Sequence, residues 1–149
     1  MEQIEHCLSF YLGKAYQRVT QSAKQRLGAY GVTPVQYAVL KVLWERESQS
    51  GAEMGERLLL DSATMTGLLD RLEHAGLIER QSHATDRRVN RVMLTARGRD
   101  LQVPLDREMD QLNQEFLGQF PPREAKLLRE LLTTIAGWKG IERGAGVQE

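Results

Sequence analysis

Residues 50–95 read SGAEMGERLLLDSATMTGLLDRLEHAGLIERQSHATDRRVNRVMLT, and the order of signals in this stretch decides the fold. Ser50-Gly51-Ala52-Glu53 has the Ser-x-x-Glu form of a capping box, in which hydroxyl and carboxylate satisfy each other's unpaired backbone N–H groups. It predicts a short helix to about Leu58. Leu59, Leu60 and Asp61 then make a tight turn, and Asp61 or Ser62 caps a second helix that stops at Gly76. Met54, Leu58, Met65, Leu68 and Leu72 form an inner stripe that packs the pair, with Leu69 on the same buried side. Two short helices joined by such a turn are a helix-turn-helix. Leu77 to Gln81 reads as a strand, Ser82 to Arg88 as a turn-rich tip, and Val89 to Thr95 as a returning strand. In that second strand Asn90, Val92 and Leu94 alternate with Arg91 and Met93, the pattern of a half-buried hairpin. A hairpin directly behind a helix-turn-helix is a wing.

Upstream, Ile4, Leu8, Tyr11, Leu12, Ala15, Val19, Ala23 and Leu27 recur at helical spacing and predict one helix over this range, closed by Gly28 and Gly31. Thr33-Pro34-Val35-Gln36 is another capping box, with proline at the first helical position. Val35, Ala38, Val39, Val42 and Leu43 supply the apolar face that follows. Downstream, Thr95 caps a helix with the stripe Leu101, Leu105, Met109, Leu112 and Phe116. Pro104 falls inside it and predicts a kink, at a cost of about 3 kcal/mol unless packing compensates. After Phe120-Pro121-Pro122, the residues Leu127, Leu128, Leu131, Leu132, Ile135 and Trp138 mark a last helix. The expected class is mainly α with a small β-hairpin wing.

The 149 residues suit one domain with a real core. With 41% hydrophobic and 27% charged residues the composition is that of a soluble globular protein. No apolar run approaches a membrane span, the first residues lack a signal-peptide pattern, and the single cysteine, Cys7, suits a reducing compartment. The expected location is the cytoplasm. His6, His74 and His83 lie in separate segments without metal-ligand spacing, and no catalytic motif or cofactor loop is present, so neither an enzyme nor a bound metal is expected.

The formal net charge is zero, but its distribution is uneven. Between Arg80 and Arg99 stand Arg80, Arg87, Arg88, Arg91, Arg97 and Arg99 against the single acid Asp86. A local basic patch is the electrostatic footprint of a DNA binder. The helix from Ser62 opens with Ser62, Ala63, Thr64, Thr66 and Gly67, small or hydroxyl-bearing residues that let a helix lie close in a major groove. Thr66 shares a face with Ser62 and Asp70, and Arg71 shares the neighbouring face with Ala63 and Gly67. A tip carrying Arg87 and Arg88, fixed by Asp86, suits a minor groove, and Arg91 adds charge on the strand behind it.

The run from Leu60 to Arg80 resembles the recognition-helix signature of the MarR family. Asp86-Arg87-Arg88, followed by Leu94-Thr95-Ala96-Arg97-Gly98, is similar to that family's wing signature. At Gly67 the chain departs from many relatives, which carry a long polar or basic residue there. The resemblance implies a homodimer on a palindromic operator and, usually, repression relieved by a small ligand or by oxidation. It places dimerisation helices over 4–30 and 96–140, a DNA-binding lobe over 33–95, a recognition helix over 62–75 and a wing over 77–95. The family's wing arginine falls on Arg88 and its pairing acid on Asp86.

Two effector chemistries compete. Tyr11, Lys14 and Arg18 form a line on the first helix, and Tyr37 and Trp44 stand on the second. Aromatic walls beside a cation suit an aromatic carboxylate or aromatic acyl-thioester. The alternative is oxidation of Cys7. Alignment with the family's organic-peroxide sensors through Pro34-Val35-Gln36-Tyr37 puts their reactive cysteine at Ser9, and their activating tyrosines at Ala23 and Pro34. Two helical residues are about 200° apart, so Cys7 is expected to face elsewhere. A winged-helix module that binds protein instead of DNA is a further alternative.

Overall fold

A computed structural model describes residues 3–82 and 90–139. Seven α-helices and one hairpin are seen among them: α1 (Leu8–Gly28), α2 (Pro34–Glu45), α3 (Gly51–Leu58), α4 (Ser62–His74), β1 (Ile78–Ser82), β2 (Asn90–Leu94), α5 (Ala96–Asp100), α6 (Gln102–Leu117) and α7 (Pro122–Ala136). Both capping boxes form. Thr33 Oγ1 accepts from Gln36 N at 3.2 Å while Gln36 Oε1 accepts from Thr33 N at 3.1 Å. Ser50 and Glu53 make the same reciprocal pair at 3.1 and 2.8 Å.

The core lies where α2, α3, α4 and the hairpin meet. Leu27, Val39, Leu40, Leu43, Met54 and Leu72 are completely buried, each contributing roughly 1.5–3 kcal/mol by leaving water. The hairpin is antiparallel, with Ile78 opposite Leu94 and Arg80 opposite Val92, so Val92 and Leu94 face inward as their alternation requires. The α2–α3 corner adds a short bridge to this sheet: Val92 N donates to Gln49 O at 2.8 Å and Ser48 N to Val92 O at 3.1 Å. Gln49 is buried, and its amide donates to the carbonyls of Val42 (3.1 Å) and Arg46. The wing root is thereby tied to the corner that starts α3.

Three expectations are corrected. The stretch after Thr95 is two helices broken at Leu101, and Pro104 stands in the first turn of α6. First-turn N–H groups lack intrahelical partners in any case, so the missing donor costs little and no mid-helix kink is needed. The last helix ends at Ala136: Gly137 adopts φ +65°, and Trp138 N closes back on Thr133 O at 3.1 Å, so Trp138 lies beyond α7. The first apolar stripe is not one helix either. A short 3-10 turn (Ile4–His6) precedes α1, with Cys7 extended between them at φ −85°, ψ 107°.

Much apolar surface stays uncovered. Leu127, Leu131, Leu132 and Ile135 on α7 are exposed, and so are Ile4, Leu8 and Tyr11 at the other end of the chain. Only Ala23 and Leu27 of α1 are buried. Ser22 and Arg26 tie that half of α1 to Glu115 of α6, each at 2.9 Å.

Candidate nucleic-acid interface

The turn between α3 and α4 is shaped by two residues. Leu59 takes a left-handed conformation at φ 55°, strained for a residue with a side chain. A Cβ at Gly55 would stand 2.9 Å from the Leu60 carbonyl oxygen and 3.0 Å from Met65, so only glycine lets α4 pack this closely. Asp61 then caps α4. Its carboxylate accepts from Thr64 N at 2.7 Å and from the Thr64 hydroxyl at 3.0 Å, and the Thr64 N–H bond leads in holding that carboxyl below the usual carboxylate range. Thr64 therefore supports the helix start.

Along α4, Met65, Leu68, Leu69 and Leu72 are buried, whereas Ser62, Ala63, Thr64, Thr66, Asp70 and Arg71 are exposed and Gly67 is half-buried. The Thr66 hydroxyl donates to Ser62 O at 2.9 Å. With its proton used, that oxygen offers acceptor lone pairs and the side chain a methyl group. The Arg71 guanidinium lies over Gly67 on the neighbouring face: a Cβ at Gly67 would meet its Nη2 at 3.3 Å. Gly67 makes room for the Arg71 side chain.

The arginine-rich stretch is less basic than it reads. Arg80 pairs with Asp70 at 2.5 Å and with Glu73 at 3.1 Å. Arg91 pairs with Glu53 at 3.1 Å and donates to Ser48 O at 3.3 Å. Arg99 meets Glu47 at 3.0 Å, and Arg97 donates to Ala75 O at 3.2 Å. Acids distant in sequence thus offset three of the six arginines. The guanidiniums of Arg80 and Arg91 fix the hairpin to α4, α3 and the α2–α3 corner, and that of Arg99 fixes α5 to the same corner. Asp86, Arg87 and Arg88 lie outside the described residues.

The five residues read as an effector site fall into two separate sets. Tyr11 packs edge-on to Phe10 (5.8 Å between centroids), Lys14 Nζ is 5.8 Å from the Phe10 ring, and the Arg18 guanidinium is 5.9 Å from Phe116. Tyr37 and Trp44 pack edge-to-face at 5.9 Å. The Tyr37 hydroxyl donates to Asp106 Oδ1 at 2.9 Å, a carboxylate that Lys41 also holds at 2.8 Å, and Trp44 Nε1 donates to Gly98 O at 2.9 Å. Burial first, then Asp106, pushes the Tyr37 phenol up and keeps it a neutral donor. Tyr37 and Trp44 thus tie α2 to α6 and α5. A cleft of about 890 Å³ lies elsewhere, between the α2–α3 corner and the residues after α7, and none of the five lines it.

Cys7 differs from the expectation for a helix face. As the N-cap residue of α1 it places Sγ 3.2 Å from Ser9 Oγ, so the two positions meet instead of diverging. Hydrogen bonding from the Ser9 hydroxyl, then from the Phe10 N–H, draws the thiol below its ordinary range.

Known proteins share this arrangement. The MarR family profile matches residues 32–89, which include α2, α3, α4 and β1. The transcriptional regulator SarZ of Staphylococcus epidermidis is 32% identical over 110 residues, covering 74% of this chain and 73% of SarZ. The chain belongs to the MarR family. Its relatives are transcriptional regulators: the organic hydroperoxide resistance regulator of Bacillus subtilis is 38% identical over 64% of this chain, and TtmR of Methylorubrum extorquens 37% over 70%. The match spans 65% and 54% of those two proteins' own lengths. Among solved structures, BpsR of Bordetella bronchiseptica, described with 6-hydroxynicotinic acid, superposes with TM-score 0.84 at 26% identity over 91% of this chain and 97% of its own. Reduced AbfR bound to DNA gives 0.72 at 26%, over 90% and 93%. This MarR-family chain has the winged helix fold of those regulators. Among the described residues, no helix is long and apolar enough to cross a membrane, and no cluster of three side chains could hold a metal.

Proposed function

We propose that this chain is a homodimeric regulator that binds double-stranded DNA sequence-specifically and represses transcription from a palindromic operator. The observation that carries the reading is the outer face of α4. Ser62, Ala63 and Thr66 on it are small and exposed, its inner residues are buried, Asp61 caps its start, and Arg80 ties it to the hairpin. Ser62, Ala63, Thr66, Gly67 and Arg71 face the major groove in this reading, and Thr64 lies at the helix start near phosphate. Asp86, Arg87 and Arg88 form the wing tip, and Arg91, held by Glu53, sets the wing root. Residues 4–30 and 96–140 form the dimer contact, supported by the uncovered apolar faces of α1 and α7. AbfR's structure on DNA, at 26% identity, supports the DNA partner.

The effector proposed is a small aromatic acid or aromatic acyl-thioester. The BpsR structure described with 6-hydroxynicotinic acid supports that class. In this reading Tyr11, Lys14 and Arg18 present an aromatic ring and two cations from α1, and Tyr37 and Trp44 transmit the change to α5 and α6.

Gel shifts on the chain's own upstream DNA and on random duplex, over a salt series, test the DNA reading. Operator binding that weakens steeply with salt, with a smaller slope in Arg88→Ala, is expected because a groove-bound arginine releases counterions. Retention of neither duplex would move the fold to the protein-binding class.

A second reading rests on Cys7. Its thiol, stabilised toward thiolate by Ser9 and Phe10, makes oxidation an alternative release signal. Peroxide that releases wild type but not Cys7→Ser from DNA would establish it.

A further inference from the structure

The space above Gly67 is filled from one turn further along α4. Helical side chains lean toward the helix N-terminus, so a residue at i+4 lies over residue i. Arg71 does so here: its Nη2 stands 3.3 Å from where a Cβ at Gly67 would be. The guanidinium is thereby carried back by one turn, about 6 Å of helix rise, to the level of a side chain at position 67. A longer residue at that position would need the same space. Glycine at 67 and the placement of the Arg71 head group are one arrangement.

The shift moves the head group toward the part of the helix that meets bases, because a recognition helix reads with its N-terminal turns. Arg71 is exposed, and the acids around it are engaged elsewhere. Asp70 and Glu73 hold Arg80 at 2.5 and 3.1 Å, and Asp61 accepts from Thr64 N at 2.7 Å. Among the described residues no carboxylate pairs with Arg71, in contrast to Arg80, Arg91 and Arg99. A guanidinium is a planar fork of five N–H donors without an acceptor. In the major groove guanine alone presents two adjacent acceptors, N7 and O6, whereas adenine sets a donor beside its N7.

We propose that Arg71 reads one guanine in each half-site, its guanidinium forked on N7 and O6 from the space that Gly67 leaves. Gly67 then sets specificity through Arg71 and not by a contact of its own. The guanine contact needs α4 in the major groove, so it rests on the DNA-binding reading.

Duplexes selected from a random pool by the wild-type protein supply the probe. Each half-site should hold an invariant guanine. Exchanging it for 7-deazaguanine, which loses N7 and keeps base pairing, should weaken binding about tenfold per half-site. Hypoxanthine, which keeps N7 and O6, should bind there much as guanine does. Arg71→Ala, checked for folding by circular dichroism, should accept all four bases at that position while the rest of the motif persists. For that variant 7-deazaguanine should cost nothing further. A uniform loss on every duplex with the guanine preference intact would make Arg71 a phosphate contact and overturn the proposal. A wild-type motif indifferent to 7-deazaguanine would overturn it too. Recovery of no motif by the wild type removes the guanine contact and the DNA reading together, whereas a motif that Arg71→Ala reproduces unchanged removes the contact alone.

Discussion

Arg80 of β1 grips Glu73 of α4 through three hydrogen bonds: the backbone N–H and Nε reach Oε2 at 3.2 and 3.3 Å, and Nη2 reaches Oε1 at 3.1 Å. Seven residues apart in sequence, the two lock α4 to the first strand of the hairpin. Arg80→Ala should cost about 1 kcal/mol of stability, a partly exposed network being worth that at most. Its larger effect should fall on operator affinity, because helix and wing would no longer meet DNA as one unit. Denaturant melts and gel shifts on the same preparation measure both.

The same pair gives a pH dependence. Arg80 holds the Glu73 carboxyl below its ordinary value, which is about 4.3 for a free glutamate. A depressed folded-state value means that the contribution is complete above the unfolded pKa and is lost as pH falls through the folded one. Glu53 and Asp61 are lowered likewise, chiefly by the backbone N–H groups of Ser50 and Thr64. Melting temperature should therefore hold down to about pH 5 and fall below about pH 4. Glu73→Gln should show a shallower fall in that acid window.

Gly67→Ala separates stability from recognition. Alanine is favoured over glycine inside a helix by roughly 1 kcal/mol, and the neighbour it meets is the flexible end of Arg71. Thermal stability should rise while Arg71 is displaced and operator binding changes. A loss of stability would show that the Arg71 guanidinium cannot yield.

Gly98→Ala should do the opposite. A Cβ there would run into the Leu77 carbonyl, a backbone atom that cannot swing aside, and Gly98 is itself held in place because its own carbonyl accepts from Trp44 Nε1. The expected loss is about 1–3 kcal/mol, read from denaturant midpoints.

How much of this was legible in the sequence depended on the range of the interaction. The caps at Thr33, Ser50, Asp61 and Thr95 are contacts over three residues, and all four form where the side chains predict. The α4 stripe and the Val92–Leu94 alternation follow from local periodicity alone. What was hidden lies between distant residues. The partners of Arg91 and Arg99 are Glu53 and Glu47, in another element, so counting arginines overstated the basic patch. Leu40 is fully buried although it falls outside the apolar spacing that marked α2, because a second face of that helix is covered. Cys7 was misplaced because an unbroken apolar spacing concealed the extended residue between the 3-10 turn and α1. Gly55 stands inside the first of the two short helices, and a glycine at that interior position is the sequence signal for the close approach of the second.

Within the proposed interface Thr66 is a residue expected to read sequence. Its hydroxyl proton is held by Ser62 O, so toward a base it offers an acceptor and a methyl group. Thr66→Val keeps the methyl and removes the acceptor. Preference for operator over random duplex should fall by about 1–3 kcal/mol per half-site. Non-specific affinity should hardly change, since phosphate contacts supply it. Equal losses on both duplexes would make Thr66 a positioning residue.

The central claim, a dimer reading a palindrome with α4, is tested most directly by selecting binding sites from a pool of random duplexes with the wild-type protein. Two symmetric recognition helices should enrich an inverted repeat whose half-sites are centred roughly 10 base pairs, or about 34 Å, apart. Thr66→Val should blur the positions within each half-site and leave their spacing intact. Recovery of no motif, or of a single half-site without its inverted partner, would contradict the claim.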